Sequence, residues 1–321
     1  MIIVERAPPY LTVQDEGRTG YRTSGVPRSG AMDVWSLAAA NLLVGNASDS
    51  AALEWAIGGG SLRFERDAVI ALAGADVEAT VDDASIPMKT AIAVRAGQRL
   101  TIHRLTARRF LYVAVRGGVD CPRVLGSRST YLPAAFGGID GRRVARGDAI
   151  AIGDAVKNAG HVDRPPGAAG AGPDYDADVI RVIAATAQPA ADDDVRPATK
   201  RNNATVFEAF LATGYTVSLA SDRTGYRLEG DRALDAADTS ITSEPVCPGV
   251  IQLPPGGHPI VLMADSPTIG GYRILGTVIS RDLAVLAQSV PGRRLRFASV
   301  SVDVAQEVLR GRRSQDVSED M

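Results

Sequence analysis

The chain has 321 residues, 45% apolar and 22% charged, a balance that allows about two ordinary cores and excludes both wholesale disorder and a single small module. Lys and Arg number 35 against 37 Asp and Glu, so the formal charge is only −2 and no strong field recommends nucleic acid or an anionic membrane as a partner. Cys121 and Cys247 lack CxxC spacing and His103, His161 and His258 are scattered, which argues against a structural zinc site.

The amino terminus reaches Glu5 and Arg6 before an apolar stretch of signal length forms, which predicts a cytoplasmic location. Short Val/Ile/Leu-rich runs between frequent Gly and Pro then predict strands over 10–14, 68–73, 90–94, 99–103, 110–115, 179–183, 250–253 and 260–264. A helix is expected over 32–44, with Trp35, Ala38, Ala39, Leu42 and Leu43 on one face and Gly45–Asn46 as its stop. A second is expected over 205–213, and a third after Ser280, read as its N-cap, ending at Pro291. No run approaches the ~20 apolar residues of a membrane-spanning helix. The resulting domain plan is 1–155, a linker over 156–177, a second domain over 178–305 and a polar tail over 306–321, with an exposed loop over 189–203.

The two halves echo one another. Arg18-Thr19-Gly20-Tyr21-Arg22 recurs as Arg223-Thr224-Gly225-Tyr226-Arg227, and Ala96-Gly97-Gln98-Arg99-Leu100 resembles Pro291-Gly292-Arg293-Arg294-Leu295. Glu54, Gly59, Ile70 and Leu72 match Glu244, Gly249, Ile260 and Leu262 at one constant offset, and the shared order predicts an internal duplication.

Phosphate-loop, dinucleotide-fingerprint, HExxH and GxSxG motifs are all missing, which excludes autonomous P-loop ATP hydrolysis. What remains is glycine-rich turns bearing arginine, acids and hydroxyls. Glycine lets backbone N–H groups approach an anion and arginine adds paired donors, so such turns suit a carboxylate, phosphate or developing oxyanion. The first stretch offers Asp15, Arg18 and Tyr21; its alternative is a tight loop with Arg18 paired to Asp15. The second offers Ser127, Arg128, Ser129 and Tyr131, against a plain turn and solvated loop. In the second half stand Arg223, Tyr226, Glu244, Asp265, Gly270, Gly271 and Tyr272. Glu244 and Asp265 are the carboxylates to test as base, proton shuttle or metal ligand, unless they are N-caps or partners of Arg223 or Arg227. Cys247 reads as a buried small apolar group, and His258 as a turn residue. The text around Met88-Lys89 departs from a biotin attachment site, so no covalently attached biotin is expected.

The stretches VQDEGRTGYRTSGVPRSGAMD, RGGVD with LGSRSTY, SDRTGYRLEG, GVIQLPPGGHPIVLMAD, TIGGYRILGTVIS and PGRRLRF resemble, in this order, the family known as allophanate hydrolase subunit 2, biotin-dependent carboxyltransferase-like protein or the C subunit of 5-oxoprolinase. The resemblance implies a mainly β fold of two cyclophilin-like barrels with a few short helices. It further implies a subunit 1 partner, a third ring-opening subunit, ATP and Mg2+ held here or by the partner, and an ATP-dependent opening of 5-oxoproline. Within that reading Asp15, Arg18, Arg128, Glu244 and Asp265 are candidate catalytic groups, with the metal ligands unspecified. Tyr21, Ser127, Ser129, Tyr131, Arg223, Tyr226, Gly270, Gly271 and Tyr272 are candidate substrate contacts. The alternatives are the carboxyltransferase component of a biotin-dependent urea carboxylase system and a non-catalytic regulator that binds a kinase-inhibitor partner.

Overall fold

A computed structural model describes residues 1–154, 172–185, 197–235 and 240–310. These fall into two units. The first holds 1–22 and 28–154, and the second holds 23–27 with the described residues from 172 onward.

The first unit contains β1 (Ile2–Arg6), β2 (Tyr10–Gln14), α1 (Val34–Leu43), β3 (Ala52–Ala56), β4 (Gly60–Phe64), β5 (Ala68–Val81), β6 (Ala84–Ser85), β7 (Ile92–Val94), β8 (Arg99–Val115), β9 (Val119–Asp120) and β10 (Ala149–Ile152). They form one sheet in the order β2-β3-β8-β4-β1-β10-β9, with β5 along β8 and with β6 and β7 on β5. Curling is completed by main-chain bonds to the free side of β2, from Val144 N to Leu11 O (2.8 Å) and from Thr130 N to Val13 O (2.9 Å). The barrel is thereby nearly closed, which leaves little exposed strand edge. Alternation sends Ile2 and Val4 inward from β1, and Leu111, Val113 and Val115 inward from β8, onto Leu53, Trp55, Leu62, Phe64 and Leu72. Each such side chain contributes about 1.5–3 kcal/mol on full burial.

The expected strands over 99–103 and 110–115 are the two ends of one 17-residue strand. Polar His103–Arg109 hid its continuity, because this stretch pairs with β5 outside the core. Helix α1 begins at Val34: Asp33 is the N-cap, its Oδ1 accepting from Trp35 N and Ser36 N at 3.1 Å each. Its buried face is Ser36, Leu37, Ala38, Ala40 and Asn41, whereas Ala39 and Leu43 are exposed. A helix apolar almost all round gives its period no direction; Asn41, whose Nδ2 donates to Ser50 O at 2.7 Å, sets the inner side.

The second unit contains β11 (Val179–Ala184), α2 (Pro197–Leu211), β12 (Tyr215–Val217), β13 (Gly225–Gly230), β14 (Ser240–Pro245), β15 (Val250–Leu253), β16 (Ile260–Leu262), β17 (Ile269–Val278), α3 (Ser280–Ala287), β18 (Arg294–Ser299) and α4 (Val302–Leu309). Its strands run β11-β18-β12-β13-β16-β15-β17 and return to β11, a closed barrel with β14 added outside β17. The pairing of β11 with β18 is parallel. Phe210 of α2 packs against Tyr215 and Phe297 at centroid distances of 5.2 and 4.7 Å, seating that helix on β12 and β18. Helix α3 is tied to β11 by Asp282, which accepts from Arg181 N (2.7 Å), Nε (2.9 Å) and Nη2 (2.6 Å).

Four expectations change here. Residues 197–203 are helical rather than loop, because α2 opens with proline in its first turn, where a missing N–H costs nothing. Ser280 is the first residue of α3; Ile279 occupies the cap position without a side-chain bond. Helix α4, capped by Ser301 Oγ on Val304 N at 3.2 Å, was not anticipated and crosses the expected domain end at 305. Cys247 is exposed rather than buried. Most of the expected linker, and the tail beyond 310, lie outside the described residues.

The repeats divide instructively. After β7, Gly97 (φ 88°) turns the chain, Gly97 N donates to Phe64 O (2.7 Å) and Phe64 N to Gln98 O (2.9 Å). In the second barrel Gly292 (φ 89°) does the same, with Gly292 N to Val217 O (2.8 Å) and Val217 N to Arg293 O (3.0 Å). The Arg-Thr-Gly-Tyr-Arg pair behaves otherwise: the first copy is loop running into a 3-10 turn at Arg22–Ser24, the second enters β13.

Candidate functional site

In the first barrel the chain leaving β2 turns sharply, and the segment 124–138 wraps around the turn. Asp15 is its hub. Oδ1 accepts from Gly17 N (2.8 Å), Ser127 Oγ (2.6 Å) and Ser129 Oγ, while Oδ2 accepts from Arg128 N (2.6 Å). Aspartate suits this position because its short carboxylate reaches its own chain two residues on and keeps further lone pairs for the crossing segment. Gly17 is required: its φ is 92°, and a Cβ would lie 2.6 Å from Arg28 O.

Arg18 runs beneath the hub, 1% exposed. Its Nε donates to Val124 O at 3.2 Å, Nη2 donates to Ser129 O, and the guanidinium lies 4.6 Å from the Phe136 ring centroid. Arg18 therefore does not pair with Asp15 through any of these bonds; it fastens the crossing segment from below. Arg128 donates from Nε to Cys121 O (2.9 Å) and from Nη2 to Asp120 Oδ1 (2.7 Å). Tyr131 packs on Phe136 at 5.4 Å. Asp15, Arg18, Ser127, Arg128, Ser129 and Tyr131 thus come together, whereas Tyr21 stands 37% exposed in the loop beyond.

Beside this hub lies a cleft of about 580 Å3, with Asp120, Cys121, Phe136, Gly137, Gly138 and Asp140 in its walls. This size suits a small molecule. Gly137 and Gly138 have φ of 72° and 57°, and a Cβ on Gly137 would stand 2.0 Å from Ser129 O, so the wall passes close over the hub. Burial pushes the Cys121 thiol up to about 11, against the lowering influence of Arg128, which leaves it protonated and unreactive at neutral pH.

In the second barrel Arg223 and Asp265 form a bidentate ion pair, Nε to Oδ2 at 2.8 Å and Nη2 to Oδ1 at 2.9 Å, with both side chains buried. Tyr226 is fully buried in the barrel and donates its hydroxyl to Ala287 O at 2.7 Å, anchoring the end of α3. Glu244 is half-buried on β14, in register with Gly270 of β17. A Cβ on Gly270 would meet Gln252 Nε2 at 2.3 Å, so a larger residue there displaces the end of that side chain, and a Cβ on Gly271 would come within 3.3 Å of Ser243 Oγ. Tyr272 is 41% exposed on the same ribbon.

Sequence reasoning missed a buried network behind α1. Glu54 Oε2 accepts from Met32 N and from the Tyr112 hydroxyl, both at 2.8 Å, and Tyr112 Oη accepts from Asp33 N at 2.8 Å. Burial, then the charge of Glu54, raise the Tyr112 phenol well above its usual range, so it stays a donor. The available signal was a carboxylate centred in an apolar strand, which must find donors inside. Among the described residues no group of three or more His, Cys, Asp or Glu could hold a metal ion by itself.

The model of the family described as carboxyltransferase domain, subdomain A and B, matches residues 24–299. The chain is 36% identical over 315 residues to the C subunit of 5-oxoprolinase from Escherichia coli, covering 98% of this chain and 95% of that protein. It is 30% identical to urea amidolyase of Saccharomyces cerevisiae over 96% of this chain, but only 17% of that protein. The crystal structure of the Kluyveromyces lactis urea amidolyase superposes with a TM-score of 0.78 at 28% identity, over 95% of this chain and 19% of the other. On a match that spans both barrels, the chain belongs to the carboxyltransferase subdomain A and B family, alongside the 5-oxoprolinase C subunits.

Proposed function

We propose that this chain is a subunit of an ATP-dependent 5-oxoprolinase, converting 5-oxo-L-proline, ATP and water to L-glutamate, ADP and phosphate together with a subunit 1 partner and a ring-opening third subunit. The observation that carries this reading is the end-to-end alignment with the C subunit of 5-oxoprolinase, which leaves almost none of either chain unmatched. A lactam carbonyl is a weak electrophile; ATP, as co-substrate, turns its oxygen into a leaving group, and developing charge then needs fixed donors. The hub suits support of that chemistry. Asp15 holds Ser127, Arg128 and Ser129 in one geometry, so that the cleft wall at Gly137–Gly138 is fixed before a substrate arrives. Magnesium bound mainly through phosphates needs only one or two protein carboxylates, and in this reading the partner subunit supplies the remaining ligands.

A second reading, carboxyl transfer from biotin on another chain, is favoured by the family description and by the likeness to urea amidolyase. Copurification with subunit 1, followed by turnover with and without avidin, separates the two. Oxoprolinase turnover is indifferent to avidin; carboxyl transfer stops. Failure to bind subunit 1 under any condition contradicts both.

A further inference from the structure

Strand ends of the first barrel meet around a second cleft, of about 510 Å3, that shares no lining residue with the one beside Asp15. Arg66 precedes β5, Arg95 directly follows β7, Arg116 directly follows β8, and Asp154 follows β10. The sheet brings them together. Ala68 pairs with Val94, Arg116 N donates to Val69 O at 2.8 Å, and Gly153 N donates to Gly118 O at 3.0 Å. Gly117 and Gly153 make that approach possible, since a Cβ on Gly117 would lie 2.1 Å from Gly153 O.

The charges here differ in kind from those of the glycine-rich motifs. Arg18, Arg128 and Arg223 are committed to carbonyls or carboxylates inside their own loops. In this cleft Arg66 Nη2 donates to Ile152 O (3.0 Å) and Arg116 Nε to Val44 O (3.0 Å). Carbonyls aim a guanidinium without cancelling its charge. Among the described residues no carboxylate pairs with Arg66, Arg95 or Arg116, and Arg95 has no side-chain partner. Three cations face two carboxylates, Asp67 and Asp154, leaving one positive charge on a protein whose total is −2. Asp67 Oδ1 is already engaged by Ala96 N at 2.8 Å, bracing the turn that carries Arg95. The floor, Ala68, Val69, Ala93, Val94 and Ile152, is apolar. A concave wall of low polarity focuses the field of the guanidiniums and favours oxyanions that accept paired N–H donors.

We propose that this cleft is a binding site for a small oxyanion, phosphoryl or carboxylate, held by Arg66, Arg95 and Arg116. It goes beyond the oxoprolinase reading and does not depend on it. The test is calorimetric titration and thermal unfolding of the full chain with pyrophosphate in one arm and glutarate in the other, each against chloride at equal ionic strength. Saturable binding in either arm, weakened tenfold or more by Arg95→Gln and further by Arg66→Gln with Arg116→Gln, is the expected result and names the source of the anion. Arg146→Gln, an exposed cation outside the cleft, should leave the affinity unchanged. Arg95→Gln and Arg146→Gln should unfold at the wild-type temperature without ligand, since these are surface substitutions, whereas Arg66→Gln with Arg116→Gln should unfold somewhat lower because it gives up the bonds to Ile152 O and Val44 O. Stabilisation no greater than chloride gives in both arms, or an affinity that Arg95→Gln leaves intact, overturns the proposal.

Discussion

Arg223 and Asp265 are joined twice over in the second barrel: their side chains form the bidentate pair, and Asp265 N donates to Arg223 O at 2.8 Å. The ion pair locks the start of β13 to the end of β16 where two loops leave the barrel.

Removing one partner strands a buried charge. Asp265→Ala should lower the stability of the second barrel by about 3–5 kcal/mol, with Arg223→Met, Asp265→Leu together recovering much of it. Urea unfolding of the full chain checks this; equal losses in the single and double variants would assign Asp265 another duty.

Glycines at positive φ differ in what surrounds them. Gly137→Ala meets Ser129 O and Arg18 Nη2 and should destabilise the first barrel by several kcal/mol, while Gly126→Ala, at φ 81° with open space around it, should cost about 1–2 kcal/mol. Thermal unfolding of the two variants gives the order directly.

The sequence made the second kind of glycine as visible as the first, and that marks its limit. A turn whose bonds are local, such as that at Gly97 and again at Gly292, can be read from a few letters. The five identical letters at Arg18 and Arg223 cannot, because what decides their conformation comes from far along the chain: Arg28 O and the segment 124–138 in one case, Leu262 and Val261 across the sheet in the other. The first-barrel candidates were legible as a set, since Asp15 and the Ser127–Tyr131 run stand out chemically. Their assembly rests on bonds spanning more than a hundred residues, and so does the burial of Arg18, which composition alone presents as a solvent-facing anion binder. Glu54 with Tyr112 escaped notice for the same reason: two residues 58 apart meet only when β3 pairs with β8.

Tyr112→Phe removes one donor from a buried carboxylate and one acceptor from Asp33 N. It should cost about 1.5–3 kcal/mol and shift amide exchange at the start of α1. Unchanged exchange there would mean that Asp33 alone fixes the helix entry.

The two thiols should be distinguishable by pH. Cys247 is exposed and should react with a maleimide first; Cys121, held protonated by burial, should react slowly at pH 7–8 and faster as pH rises toward about 11. The sign follows from the thiolate being the reactive form. A Cys247→Ser variant that still labels rapidly at pH 7 would contradict the burial assigned to Cys121.

Asp15→Ala should uncouple Ser127, Arg128 and Ser129 and lower reconstituted turnover by roughly 10–100-fold, whereas Asp15→Asn, which keeps the shape but brings donors to donors, should fall between. Wild-type rates in both would remove the hub from catalysis.

The most direct measurement is ADP and L-glutamate release by purified subunits mixed with ATP, Mg2+ and 5-oxo-L-proline, with this chain present or omitted. Matched release of both products, requiring the lactam and this chain together, is the expected result. Release that proceeds equally without the chain, or no lactam-dependent ADP with every component present, would contradict it.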